Sequence, residues 1–128
     1  MNPGIPELLF FHTVAIQQYG GRDGIRDRGA LESAVARPWS SFAGEEVFPS
    51  PFDKASAICE ALINHHPFVD GNKRTGMSAG AYLLSTFGLV LEAPPSELED
   101  IAVHVAAGHV DVSGLSTWFE DHCHDVAL

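Results

Sequence analysis

Apolar residues recur at helical spacing along most of the chain, and Gly and Pro mark where each run stops. From Pro6 to Tyr19, residues Leu8, Leu9, Phe11, Val14, Ala15 and Ile16 form one broad apolar side, ended by Gly20-Gly21. His12, inside this helix, reads as a core or edge histidine rather than a ligand. Arg22 to Arg28 is a polar loop of alternating charge, of the kind that is usually solvated. Ala30 to Ala36 predicts a short helix stopped by Pro38. Between Trp39 and Pro51 the apolar residues Trp39, Phe42, Val47 and Phe48 are denied a helix by Gly44, Pro49 and Pro51. Ser50 and Pro51 fit the N-cap and first residue of a third helix running to about His65, with Ala55, Ile58, Cys59, Leu62 and Ile63 at core spacing. A small-faced helix follows from near Asn72 to Phe87, then a brief extended piece at Leu89-Val90-Leu91. Beyond the break at Pro94-Pro95, Ser96 with Glu99 predicts a capping box for a helix carrying Leu98, Ile101, Ala102, Val105 and Ala106. Gly108 ends it, and Ser113 is the expected cap of a last helix through Leu115, Trp118 and Phe119. The pattern predicts an all-α fold of about six helices, packed around the one that begins near Asn72.

Composition narrows the class. The 128 residues suit a single domain spanning 1–128, and a chain 45% hydrophobic and 19% charged is expected to fold rather than stay disordered. A formal net charge of -10 argues against direct nucleic-acid binding, which leaves a basic footprint. Two cysteines imply no disulfide framework, and Cys59 reads as a small core residue. No charged-then-apolar leader opens the sequence, and no apolar run approaches the roughly 20 residues of a membrane span, so the cytoplasm is the expected compartment. The tail Asp121-His122-Cys123-His124-Asp125 holds good transition-metal ligands. Residues so close together seldom all reach one ion, so a structural tail is the reading kept.

The chemistry gathers at 66–75, His66-Pro67-Phe68-Val69-Asp70-Gly71-Asn72-Lys73-Arg74-Thr75. A helix starting near Asn72 turns its free N–H groups and the positive end of its dipole into the loop. Lys73 and Arg74 add cations where those amides already favour a phosphate. Asp70 is a hard carboxylate suited to Mg²⁺, and His66 can take a proton from an attacking hydroxyl. Gly71 permits a close backbone approach. Together these describe a phosphate-transfer site. The plain alternative is an Asp70–Arg74 ion pair with His66 as a loop histidine bonded to backbone.

This stretch resembles the signature of the Fic/Doc superfamily, His-x-Phe-x-(Asp/Glu/Asn)-(Gly/Ala)-Asn-x-Arg, most of all its Doc (death-on-curing) branch. The similarity extends upstream through Gly20-Gly21, Gly24-Ile25-Arg26-Asp27, Leu31-Glu32-Ser33-Ala34 and Arg37-Pro38. The resemblance implies His66 as general base, Asp70 as holder of the metal, and Asn72, Lys73 and Arg74 lining an anion hole, with Phe68 as packing anchor. Gly71 and Thr75 complete the expected nucleotide-binding set. It also implies that 39–51 is a flap, a hairpin-like segment that pairs with an extended target peptide beside the active site. An ordinary packed loop is the alternative.

Two departures select the chemistry. Lys73 stands where adenylylating members carry Gly, and Met77 where they carry a second Arg. The resemblance therefore implies ATP bound with its γ-phosphoryl toward the base, and phosphorylation of a Ser or Thr hydroxyl. The expected protein is a toxin of a toxin–antitoxin pair acting on a component of translation, with an elongation factor as the implied target. No inhibitory (Ser/Thr)-x-x-x-Glu-(Gly/Asn) helix occurs in the chain, so inhibition is expected from an antitoxin whose flexible C-terminal segment folds onto the domain. AMP transfer, and a catalytically silent nucleotide- or peptide-binding module, are the rivals.

Overall fold

Six helices account for nearly all the regular structure in the computed structural model, which describes residues 3–126. Helix α1 (Ile5–Tyr19) buries Leu8, His12 and Ala15 on one side, and Gly20 ends it at φ 81°. Helix α2 (Arg28–Ala36) starts two residues earlier than its apolar pattern predicts, because the Asp27 carboxylate accepts the Ala30 N–H and caps it. A single 3₁₀ turn, Arg37–Trp39, leads to a hairpin of β1 (Ser41–Phe42) and β2 (Glu45–Glu46). Its two-residue turn has Ala43 and Gly44 both at positive φ, the arrangement that fits strand twist.

Helix α3 (Pro51–His65) opens on the expected cap, a reciprocal box between Ser50 and Asp53. It packs against α2, α4 (Asn72–Thr86), α5 (Pro95–Ala106) and α6 (Val112–Asp121). The most enclosed helix is thus α3 rather than α4. The two run antiparallel and very close: a methyl on Gly76 would stand 3.0 Å from the Cys59 carbonyl oxygen and 3.0 Å from Ile63 Cγ1. Cys59 is a fully buried core residue as expected, its thiol pKa raised by burial and by neighbouring Glu60.

Asp53 also accepts the Ser116 hydroxyl at 2.6 Å, tying the start of α3 to α6. Burial pushes the Asp53 carboxyl up, but the hydrogen bonds from Ser116 and Ser50 and the charge of Lys54 outweigh it and hold the pKa below the ordinary 3.8. A depressed carboxyl stabilises the fold above its unfolded pKa, and that contribution is lost as pH falls through the folded value. Asp53→Asn is expected to cost about 1 kcal/mol at neutral pH and much less near pH 3. Urea unfolding at both pH values checks this; an equal loss at both would reject it.

The ends of α5 and α6 differ from expectation. Helix α5 starts at Pro95 with Pro94 in the cap position, so Ser96 and Glu99 form no box. Helix α6 is capped by Asp111, whose carboxylate accepts the Gly114 N–H, in place of Ser113. The tail is structural: β4 (Cys123–Asp125) pairs antiparallel with β3 (Leu89–Leu91), and His122 bonds the Trp118 carbonyl. Among the described residues no group of three or more His, Cys, Asp or Glu is placed to hold a metal, and no helix is long and apolar enough to cross a membrane.

Candidate functional site

The loop between α3 and α4 is built by three sets of bonds. Phe68 is buried and pairs its N–H and carbonyl with the two ends of the Asn72 amide, each at 3.0 Å. The segment Gly24–Asp27 lies along the loop like a strand: Ile25 bridges Phe68, Arg26 and Asp27 donate their N–H groups to the Pro67 carbonyl, and Val69 donates to Gly24. The Arg26 guanidinium then reaches the last carbonyls of α3, with Nε 2.6 Å from His66 O and Nη2 2.7 Å from His65 O. Those carbonyls are the negative end of the helix and have no partner within it. The loop read as solvated from its charge pattern is thus the scaffold of the site.

His66 closes α3 at φ 48°, a left-handed conformation uncommon for a residue other than glycine. This sharp stop carries its imidazole out of the helix, where it is exposed and without a protein partner among the described residues. Gly71 opens α4 at φ 81°. A left-handed glycine in that position leaves the N–H groups of Asn72, Lys73 and Arg74 free of intrahelical acceptors, and no side chain caps them. The helix start at which an anion site is expected is therefore uncapped.

Asp70 is exposed, and one carboxylate oxygen accepts the Arg22 N–H at 2.7 Å. No ion pair joins it to Arg74. The Arg74 guanidinium instead stacks 3.6 Å from the Tyr19 ring centroid and meets Glu99 at 3.3 Å. Both contacts are exposed, worth under about 1 kcal/mol each, so they oppose only weakly a swing of Arg74 toward a bound anion. The side chain expected in the anion hole rests against α1 and α5, and only its backbone amide is already in place.

Two other expectations change. Thr75 is fully buried and its N–H is spent on Gly71, so in this structure it presents neither its side chain nor its amide at the loop surface. The Asn72 side chain is nearly buried and both ends of its amide clamp the Phe68 backbone, so it holds the loop while its backbone N–H stands at the start of α4. Met77 is a core residue with its sulfur 3.6 Å from Cys59, so nothing at that position extends a second cation toward the loop.

The hairpin precedes the first turn of α3, while His66 follows the last turn of that 15-residue helix. Lys54 holds the hairpin there, bonding Glu46 and the Phe48 carbonyl, and Trp39 stacks on Phe87 just past the far end of α4. An extended edge that flanks His66 is Gly24–Asp27.

A cavity of about 420 Å³ lies between α1, α4 and α5, lined by Phe10, Tyr19, Met77, Leu98, Val103 and others, with Lys73 and Arg74 among the residues of its wall. It adjoins the loop without including His66 or Asp70. Comparison with known proteins agrees with the loop's composition. A family model described as the Fic/DOC family matches residues 5–84. The Toxin Doc of Mycolicibacterium smegmatis is 36% identical over 100 residues, 77% of each chain. The Protein kinase doc of Escherichia phage P1 is 32% identical over 111 residues, 86% of each chain. With the family model running through the loop and the elements that hold it, and both relatives matching over most of the chain, the chain belongs to the Fic/DOC family.

Proposed function

We propose that this chain is the toxin of a toxin–antitoxin pair and that it transfers the γ-phosphoryl group of ATP to a Ser or Thr hydroxyl of a cellular protein, an elongation factor of translation being the target class. The observation that carries this is the uncapped start of α4, three free amides beside Lys73 and Arg74, facing a loop that exposes His66 and Asp70. A relative named a protein kinase supports the direction of the chemistry. The α4 amides and Lys73 bind and orient the phosphates. His66 takes the proton of the acceptor hydroxyl as its oxygen bonds to the γ-phosphorus; the bond from that phosphorus to the β-bridging oxygen breaks and ADP leaves. Asp70, with an exposed hard carboxylate, fits a Mg²⁺ ligand; bound Mg²⁺ would neutralise phosphate charge. Lys73 in place of glycine, and a buried Met77 in place of a second arginine, favour γ-phosphoryl over AMP transfer.

Inhibition in trans has a place to act. The cavity between α1, α4 and α5 leaves Phe10 64% and Tyr19 60% exposed, so an antitoxin segment folding as an amphipathic helix could cover both and reach Arg74. In this cytoplasmic pair, titrating the chain with the product of the neighbouring reading frame should abolish transfer at one equivalent, and unaltered activity would reject that partner. The reaction is tested with cell extract and ATP labelled at either the α- or the γ-phosphate. Label reaching protein from the γ position is expected; label from the α position would establish AMP transfer instead.

A further inference from the structure

His12, the one buried histidine among the described residues, has no part in the chemistry above. His12, on the inner side of α1, is 2% exposed, and its ring stacks on Phe68 with centroids 3.9 Å apart and planes 7° from parallel. Its Nε2 is 2.8 Å from the carbonyl oxygen of Asp70. A carbonyl oxygen only accepts, so Nε2 carries the proton and donates it. On the other side of the ring, Nδ1 is 3.6 Å from a carboxylate oxygen of the exposed Asp23.

We propose that His12 is a positioning residue for the Asp70 carboxylate, a proposal that rests on the reading of Asp70 as the metal-holding group. Burying an imidazole where an aromatic hydrocarbon would fill the same space is unfavourable unless its polar atoms are satisfied. Here the satisfied atom meets the main chain of the acidic residue in the loop. Arg22, just past the end of α1, holds the same residue by its carboxylate at 2.7 Å. Asp70 is therefore gripped at its carbonyl and at its carboxylate by one helix and the turn after it, which fixes the direction of the remaining oxygen. Gly71, the next residue, lies against the same ring at φ 81°, a backbone conformation that side chains rarely adopt.

The test is Mn²⁺ binding in the presence of ATP, followed by electron paramagnetic resonance, for the wild-type chain and for H12F, H12N, H12Q and D70N, with thermal melts alongside. H12F keeps the stack and loses the donor; H12N is polar but too short; H12Q places an amide N–H near the lost Nε2. Affinity should fall about 10-fold or more in H12F and H12N and stay within about 3-fold in H12Q. Wild-type affinity in H12N, or an equal fall in all three His12 variants that follows their melting temperatures, would overturn the proposal while the D70N contrast stood. If D70N binds as the wild type does, the metal reading of Asp70 fails, and this role of His12 with it. Should H12F not fold, the contrast between H12N and H12Q decides.

Discussion

His66→Ala is expected to reduce γ-phosphoryl transfer by about 10²- to 10⁴-fold, the range ascribed to a positioned general base. The fold should hardly notice. The imidazole is exposed and makes no hydrogen bond among the described residues, and alanine keeps the Cβ that the left-handed stop of α3 already accommodates. A melting temperature close to wild type is therefore expected, since substitutions that touch no packed or bonded group stay within about 0.5 kcal/mol. Asp70→Asn should lower transfer as well, while its side-chain oxygen still accepts the Arg22 N–H. Both variants should relieve growth arrest when expressed without the antitoxin. Arrest at wild-type strength by the double variant would mean that the loop acts by binding alone.

How much of this was legible in the sequence varies with the range of the interaction. The start of α3 could be read because Ser50, Pro51 and Asp53 are neighbours that cap locally. The 66–75 loop could be read because its chemistry is contiguous. The caps of α5 and α6 differ from the reading for separate reasons: α5 starts at Pro95 behind an uncapped Pro94, and at α6 the Asp111 carboxylate reaches the Gly114 N–H in place of Ser113. Strands β3 and β4 are three residues each and far apart in the chain, so nothing local announces their pairing. Placing Asn72 and Arg74 at an anion hole, and Thr75 in the nucleotide-binding set, follows position in the motif, which does not say that Phe68, Tyr19 and the core hold those side chains in this structure. His12 reads correctly as a core histidine, but its bond to the Asp70 carbonyl and those of Arg26 to the end of α3 are invisible in the sequence, because the partners are main-chain carbonyls tens of residues away. The sequence carries one signal for Arg26: a cation two residues after Gly24, in a loop whose glycines permit close backbone approach.

Among these long-range contacts, those of Arg26 carry the largest expected effect. Its guanidinium bonds two adjacent carbonyls at the end of α3 while its own N–H bonds Pro67, so one residue fixes both the stop of the helix and the exit of the loop. Arg26→Ala leaves the His65 and His66 carbonyls to water, and two charge-assisted bonds on an exposed surface suggest a loss of about 1–3 kcal/mol. The larger effect falls on rate. Without the fork, nothing compensates the strain at His66, and a base displaced by about 1 Å can cost on the order of 10²-fold in turnover. Nucleotide affinity should change little, because the α4 amides are set by Gly71 and Asn72 on the far side of the loop. Lysine should fail to rescue, since a single ammonium lacks the planar fork that spans both carbonyls. Single-turnover transfer and ATP binding, measured side by side on Arg26→Ala and Arg26→Lys, separate these effects. Equal losses in binding and rate would show that Arg26 supports the whole loop and not the placement of His66.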